Sequence, residues 1–131
     1  MPTKKYKVLI IDDEELLRET VKLALVDADF EAVALESPKL AQTVVKQSRP
    51  DLILLDIYMP EIDGFSLCRA LQADPETKKI PIIILTGSNQ TVDVVAGIQA
   101  GAYEYLTKPI DGRILVEKIQ KILRLPRDAA E

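Results

Sequence analysis

The 131-residue sequence contains no histidine and no tryptophan, one cysteine, five glycines and two phenylalanines, and its 17 basic residues are outnumbered by 21 acidic ones. Without imidazole there is no Ser-His-Asp or Cys-His catalysis and no His-ligated zinc. Nor can a phosphohistidine form on this chain, so any part in a phosphoryl relay falls on the receiving side. The single Cys68 makes no internal disulfide. Within Phe65-Ser-Leu67-Cys68-Arg-Ala-Leu71 it reads as a small core residue of a protein in a reducing compartment. A net charge of −4 lacks the basic footprint of nucleic-acid binding, so direct contact with nucleic acid is not expected. Long apolar runs are missing too. The first, Val8 to Ile11, meets acidic residues at once and is too short for a signal peptide or a membrane span. The expectation is a cytoplasmic protein with no membrane partner.

What is present is enough for one folded domain. A chain of this length can bury about two-thirds of the surface its unfolded form exposes, and 47% of its residues are hydrophobic. Short apolar runs recur at Val8-Leu-Ile-Ile11, Leu52-Ile-Leu-Leu55, Ile82-Ile-Ile-Leu85 and, more weakly, Tyr103-Glu-Tyr105-Leu106, with an amphipathic candidate at Glu31 to Leu35. Continuous rather than alternating hydrophobicity predicts strands buried on both faces of a parallel sheet. Between them lie helical spacings: Leu17, Val21 and Leu25; Leu40, Val44 and Val45 after the cap-like Ser37-Pro38; and Ile114, Ile119, Ile122 and Leu123. Alternating β and α units predict an α/β three-layer sandwich with right-handed crossovers. Residues 4–124 are assigned to this domain and residues 125–131 to a tail or the start of a linker. Gly64, Gly101 and Gly112 fall between the expected elements, whereas Gly97 falls inside one, where it should cost about 1 kcal/mol relative to Ala.

In a parallel sheet every strand C-terminus lies along one edge, and open α/β folds bind ligands in the crevice there. The residues following the runs are Asp12 and Asp13, Asp56, Thr86, and Thr107 with Lys108. Each alone has an ordinary explanation: a helix cap for Asp12 or Asp13, a turn for Asp56, a strand end for Thr86, a solvated cation for Lys108. Together they do not. Two like charges about 5 Å apart repel by roughly 3 kcal/mol at an effective dielectric near 20, so a cluster of carboxylates needs positive charge. Lys108 supplies one, and an all-oxygen donor set selects a hard cation such as Mg²⁺, which keeps waters and leaves room for a phosphate oxygen. This is the composition of a phosphoryl-transfer site. Asp56 is the candidate nucleophile, Asp12 and Asp13 the metal-holding pair, and Lys108 and Thr86 the groups that would hold new phosphoryl oxygens.

These residues resemble the receiver domain of two-component response regulators. The resemblance rests on Asp12-Asp13-Glu14, Asp56-Ile-Tyr58-Met59-Pro60-Glu-Ile-Asp-Gly64, Leu85-Thr86-Gly87 and Gly101-Ala102-Tyr-Glu-Tyr105-Leu-Thr-Lys108-Pro109, and extends from about Tyr6 to Leu123. It implies a flavodoxin-like five-stranded parallel sheet of order 2-1-3-4-5. It also implies Asp56 as phosphoacceptor, Asp13 as a direct Mg²⁺ ligand, Asp12 as a ligand through water and the Tyr58 carbonyl as a further one, with Mn²⁺ as a substitute metal. Thr86 and Lys108 would bind the phosphoryl group, the Lys108–Pro109 peptide would be cis, and Tyr105 would turn inward when Thr86 moves. Tyr58 and Ser88 stand where the family tunes access of the attacking water, and Gly87 stands where Ala is common.

The function so implied is a phosphorylation-dependent switch rather than an enzyme in the ordinary sense. A sensor histidine kinase or phosphotransfer protein would donate to Asp56. A downstream effector, an output domain or a second copy would read the face formed by the fourth helix, fifth strand and fifth helix. Two other readings, one enzymatic and one a flavin site on the same fold, fit less well. A haloacid-dehalogenase-like phosphatase needs a second Asp where Tyr58 stands, and a flavin site needs a hydroxyl-rich phosphate loop where Asp12 and Asp13 would repel the phosphate. The remaining alternative is a protein-interaction module that is never phosphorylated, in which the acid cluster is idle.

Overall fold

The computed structural model describes residues 5–59, 63–87 and 91–124. Ser88, Pro60 and the 125–131 segment lie outside the described residues. The chain alternates β1 (Lys7–Ile11), α1 (Glu15–Asp27), β2 (Glu31–Leu35), α2 (Ala41–Ser48), β3 (Leu52–Asp56), α3 (Gly64–Ala73), β4 (Ile82–Thr86), α4 (Thr91–Gln99), β5 (Glu104–Thr107) and α5 (Gly112–Ile122). All strand pairs are parallel, and the sheet order is β2-β1-β3-β4-β5, as the resemblance implied.

The unbroken apolar runs are explained by burial on both sides of the sheet. Leu9, Ile11, Ile53, Leu55, Ile82 and Ile84 point to one face, where they meet Ala41 and Val45 of α2 and Leu67, Cys68 and Leu71 of α3. Val8, Ile10, Leu52, Leu54, Ile83 and Leu85 point to the other, against Val21 and Leu25 of α1 and Leu115 and Ile119 of α5. Burying each such Leu or Ile contributes roughly 1.5–3 kcal/mol, so the central strands carry much of the fold's stability. Helix starts are written locally: Asp63 accepts from the Phe65 N–H at 3.0 Å, and Asp111 from those of Arg113 and Ile114 at 2.9 and 3.3 Å. Cys68 is buried as expected, its Sγ 3.5 Å from the Ala100 carbonyl, and burial pushes its thiol up to about 11.

Three helix-level expectations need correction. Leu40 is exposed and Ala41 takes its place in the core, because Pro38–Leu40 form a 3-10 turn and Leu40 has φ −105° and ψ 13°, outside the helix register of α2. In α5 the buried residue is Leu115, not Ile114. With the helix capped at Asp111, the inward face runs Leu115, Ile119 and Ile122, four and then three residues apart. Gly64 and Gly112 do not lie between elements but open α3 and α5. Gly97 also has a packing reason: a Cβ there would stand 3.0 Å from Cδ1 of Ile84, so the glycine lets α4 approach β4 closely.

Candidate functional site

The strand C-termini bring the predicted residues to one edge. Asp12 follows β1, and its N–H donates to the Leu35 carbonyl at 3.2 Å, at the point where β1 lies between β2 and β3 and the strand order reverses. Its side chain is fully buried, with Oδ1 accepting the Glu14 N–H at 2.8 Å. Arg18 reaches back from α1 and donates from Nη1 to the Asp12 carbonyl at 2.9 Å. Asp56 is the last residue of β3 and is also buried, with Oδ1 accepting the Tyr58 N–H at 3.0 Å. Thr86 ends β4, buried, and pairs in register with Thr107 at the end of β5. The Lys108 N–H donates to the Thr86 carbonyl at 2.7 Å, and the Lys108–Pro109 peptide is cis.

The electrostatics centre on Lys108. Its Nζ lies 3.1 Å from Oδ2 of Asp12, 3.4 Å from Oδ2 of Asp56 and 2.8 Å from Oε1 of Glu14. The directed hydrogen bond goes to Glu14. Oδ2 of Asp12, although within ion-pair range, accepts no hydrogen bond and is buried. One ammonium thus faces two buried carboxylates, and the charge does not balance. Burial pushes the Asp56 carboxyl up to about 6, opposed by the Tyr58 N–H, reinforced by the charge of Asp12 and opposed again by Lys108. Burial likewise raises Asp12. Burial by itself would lower Lys108, but the hydrogen bond to Glu14 and the charges of Asp12 and Asp56 hold it above the ordinary lysine range.

The sign of the Asp56 shift sets a stability profile. The folded state holds this proton up to about pH 6, whereas the unfolded chain releases it from the ordinary value of 3.8. Within that window the folded state binds more protons, so Asp56's contribution, fully present below about pH 4, is lost as pH rises to about 6. Asp56→Asn removes the titration. In metal-free buffer the variant should gain urea resistance over the wild type progressively between about pH 4 and 6, levelling near neutrality at no more than about 3 kcal/mol. A constant difference across that range would contradict the burial of a charged Asp56.

A hard divalent cation fits this donor set. Carboxylate oxygens of Asp12, Asp13 and Asp56 lie within 4.8 Å of one another, with Asp13 exposed and the other two buried. The buried Asp12 oxygen without a hydrogen bond is an acceptor that a cation would satisfy, and the exposed side toward Asp13 leaves room for coordinated water.

Thus the edge collects Asp12, Asp13, Asp56, Thr86 and Lys108. Tyr58 places its exposed side chain at the rim, and Gly87 is exposed, where a Cβ would meet none of the described residues within 4 Å beyond its chain neighbours. Tyr105 lies elsewhere: half-buried on β5, it lines a narrow cleft with Ile84, Thr86, Val94 and Gly97. Three contributions escaped sequence reasoning. Glu14, which the sequence offers only as the third member of the Asp12-Asp13-Glu14 run, is the hydrogen-bond partner of Lys108, 94 residues away. Arg18 steadies Asp12. Gly64 packs directly on the Asp56–Ile57 backbone. Only the Asp63-Gly64 pair carried a local hint, a cap followed by a residue without a side chain.

Known proteins are similar to this chain in sequence and architecture. The family described as Response regulator receiver domain matches residues 8–120. The transcriptional regulatory protein AfsQ1 of Streptomyces coelicolor is 37% identical over 117 residues, 89% of this chain and 51% of that protein. The DNA-binding response regulator MtrA of Mycobacterium tuberculosis is 36% identical over 124 residues, 95% of this chain and 53% of its own length. The chain spans about half the length of these curated relatives. Among solved structures, the chemotaxis protein CheY4 of Vibrio cholerae has a TM-score of 0.86 at 28% identity, covering 91% of this chain and 99% of that one. The signal receiver domain of a signal transduction histidine kinase from Syntrophus aciditrophicus has a TM-score of 0.83 at 32% identity, covering 91% and 90%.

Proposed function

This chain belongs to the response regulator receiver domain family, and from that premise we propose that it is a phosphorylation-dependent switch whose phosphoacceptor is Asp56. The observation that supports this most directly is the pair of buried carboxylates, Asp12 and Asp56, that share one ammonium and leave a buried Asp12 oxygen without a hydrogen bond. A structural cap or turn does not require that expense, and a site that takes a cation and a phosphoryl group does.

Asp12, Asp13, Asp56 and the Tyr58 carbonyl would hold Mg²⁺, or Mn²⁺ in its place. When bound, such an ion offsets the carboxylate charge and polarises phosphoryl oxygens. An Asp56 carboxylate oxygen attacks the phosphorus of a kinase phosphohistidine, the P–N bond breaks with its electron pair going to the imidazole, and a P–O bond forms. Lys108 and the Thr86 hydroxyl then engage the new oxygens. Water later hydrolyses the acyl phosphate and restores Asp56. Movement of Thr86 toward the phosphoryl group frees space in the cleft it shares with Tyr105, and Tyr105 turns inward. The result biases the α4–β5–α5 face, which an effector, an output domain or a second copy reads. Shifting such a switch from 1:99 to 99:1 requires roughly 5.5 kcal/mol of preference.

The experiment is intact-mass measurement after incubation with acetyl phosphate, in Mg²⁺ and in chelator. A single phosphoryl adduct is expected with Mg²⁺, falling at least about tenfold with chelator. No adduct in either condition would favour the idle-cluster alternative, a protein-interaction module.

A further inference from the structure

An ammonium has three N–H donors, and three carboxylate oxygens already stand around Nζ of Lys108, at 2.8, 3.1 and 3.4 Å. A phosphoryl oxygen arriving on Asp56 competes with these acceptors for Nζ. The three are not equivalent. The Asp12 and Asp56 side chains are 0% and 3% exposed, whereas that of Glu14 is 59% exposed. Glu14 alone can rotate into water and be solvated at little cost. Yet Glu14 holds the directed hydrogen bond and the shortest of the three contacts. The ammonium is therefore tied outward, toward the rim, as well as paired with both carboxylates of the candidate site.

We propose that Glu14 is a positioning residue: the exchangeable acceptor that holds Lys108 while Asp56 is unmodified and is displaced when a phosphoryl oxygen arrives. This rests on the reading of Asp56 as phosphoacceptor. Release of the Glu14 contact on loading weakens the site's hold on the phosphoryl group by the worth of one partly exposed ion pair. Variation at this single position sets how readily the switch loads, without touching the nucleophile or the metal-holding residues.

The probe is beryllofluoride, a mimic of the phosphoryl group, titrated with Mg²⁺ present into the whole chain and followed by fluorine NMR. Glu14→Gln keeps the shape of the side chain and removes its charge, and should bind the probe about two- to fivefold more tightly than the wild type. Glu15→Gln is the control, since it removes the same charge one residue along from an exposed side chain, and it should leave the affinity unchanged. The urea midpoint of Glu14→Gln without the probe should fall slightly, because the gain in binding comes from a free state that has lost one partly exposed ion pair. Equal or weaker binding by Glu14→Gln overturns the proposal. So does an equal gain in Glu15→Gln, which would mean general charge rather than release of Lys108. A wild type that binds no beryllofluoride and forms no acetyl phosphate adduct refutes the phosphoacceptor reading and Glu14's role with it. A wild type that does both, with Glu14→Gln unchanged, refutes the role of Glu14 alone.

Discussion

Asp56→Asn is expected to abolish the phosphoryl adduct, leaving less than about 1% of the wild-type yield under the same acetyl phosphate and Mg²⁺. The amide has the shape of the carboxylate and can still accept the Tyr58 N–H that Asp56 accepts at 3.0 Å, so the fold is retained and stability rises at neutral pH. What is lost is the anionic nucleophile. A neutral amide is a poor nucleophile and one negative ligand fewer for a cation, and either loss alone is worth several kcal/mol of barrier. Each 1.36 kcal/mol is a factor of ten in rate, so two orders of magnitude is a conservative expectation. Intact mass reads the adduct and urea unfolding reads the fold, on the same sample. An adduct of wild-type abundance on Asp56→Asn would move the acceptor to another side chain, with Asp12 and Asp13 the nearest carboxylates.

The second large effect is at a residue with no polar group. Gly64→Ala should destabilise the protein by about 3 kcal/mol or more, lowering Tm by on the order of 10 °C. A Cβ at Gly64 would stand 2.4 Å from the Ile57 Cα and 2.7 Å from the Asp56 carbonyl oxygen. Both are backbone atoms that cannot turn aside as a side chain would. The Gly64 N–H donates to the Ile57 carbonyl at 3.1 Å, and Tyr58 and Asp63 form an antiparallel bridge that closes the loop. Relief must therefore come from moving the start of α3 or the segment that carries Asp56. The variant should lose adduct yield as well as stability. A loss below about 1 kcal/mol by urea unfolding would show that this loop yields easily and that the close approach is not what fixes Asp56.

These two positions differ in how far the sequence announces them. Asp56 ends an apolar run and invites attention. Gly64 is one of five glycines, and only the capping Asp63 before it sets it apart locally from Gly87, where a Cβ would meet no described atom within 4 Å beyond its chain neighbours. The difference lies in what another part of the chain brings to within 3 Å. The helix faces teach the same lesson on a smaller scale. Periodicity located α2 and α5 but assigned Leu40 and Ile114 to the core, where the structure buries Ala41 and Leu115. A hydrophobic spacing determines that a stripe exists, and the capping residue and the turn before it determine where the stripe begins. One residue of offset rotates the face by about 100°.

From the sequence alone came the alternation of strand and helix, the parallel sheet with both faces buried, and the chemistry at one edge: oxygen donors, one amine and no imidazole. Those follow from local composition, because a strand buried on both faces must be apolar throughout and a parallel sheet must align its C-termini. The strand order came only through resemblance, since adjacency between β1 and β3 or β4 and β5 leaves no mark within either run. Tertiary structure alone decided that Lys108 donates to Glu14 while facing Asp12 and Asp56, that Arg18 holds the Asp12 carbonyl, and that Gly64 must have no side chain. Each of these depends on the direction of a hydrogen bond or a gap of a few tenths of an ångström between segments distant in sequence. Such quantities are set by how the layers pack, and no property of a single segment encodes them.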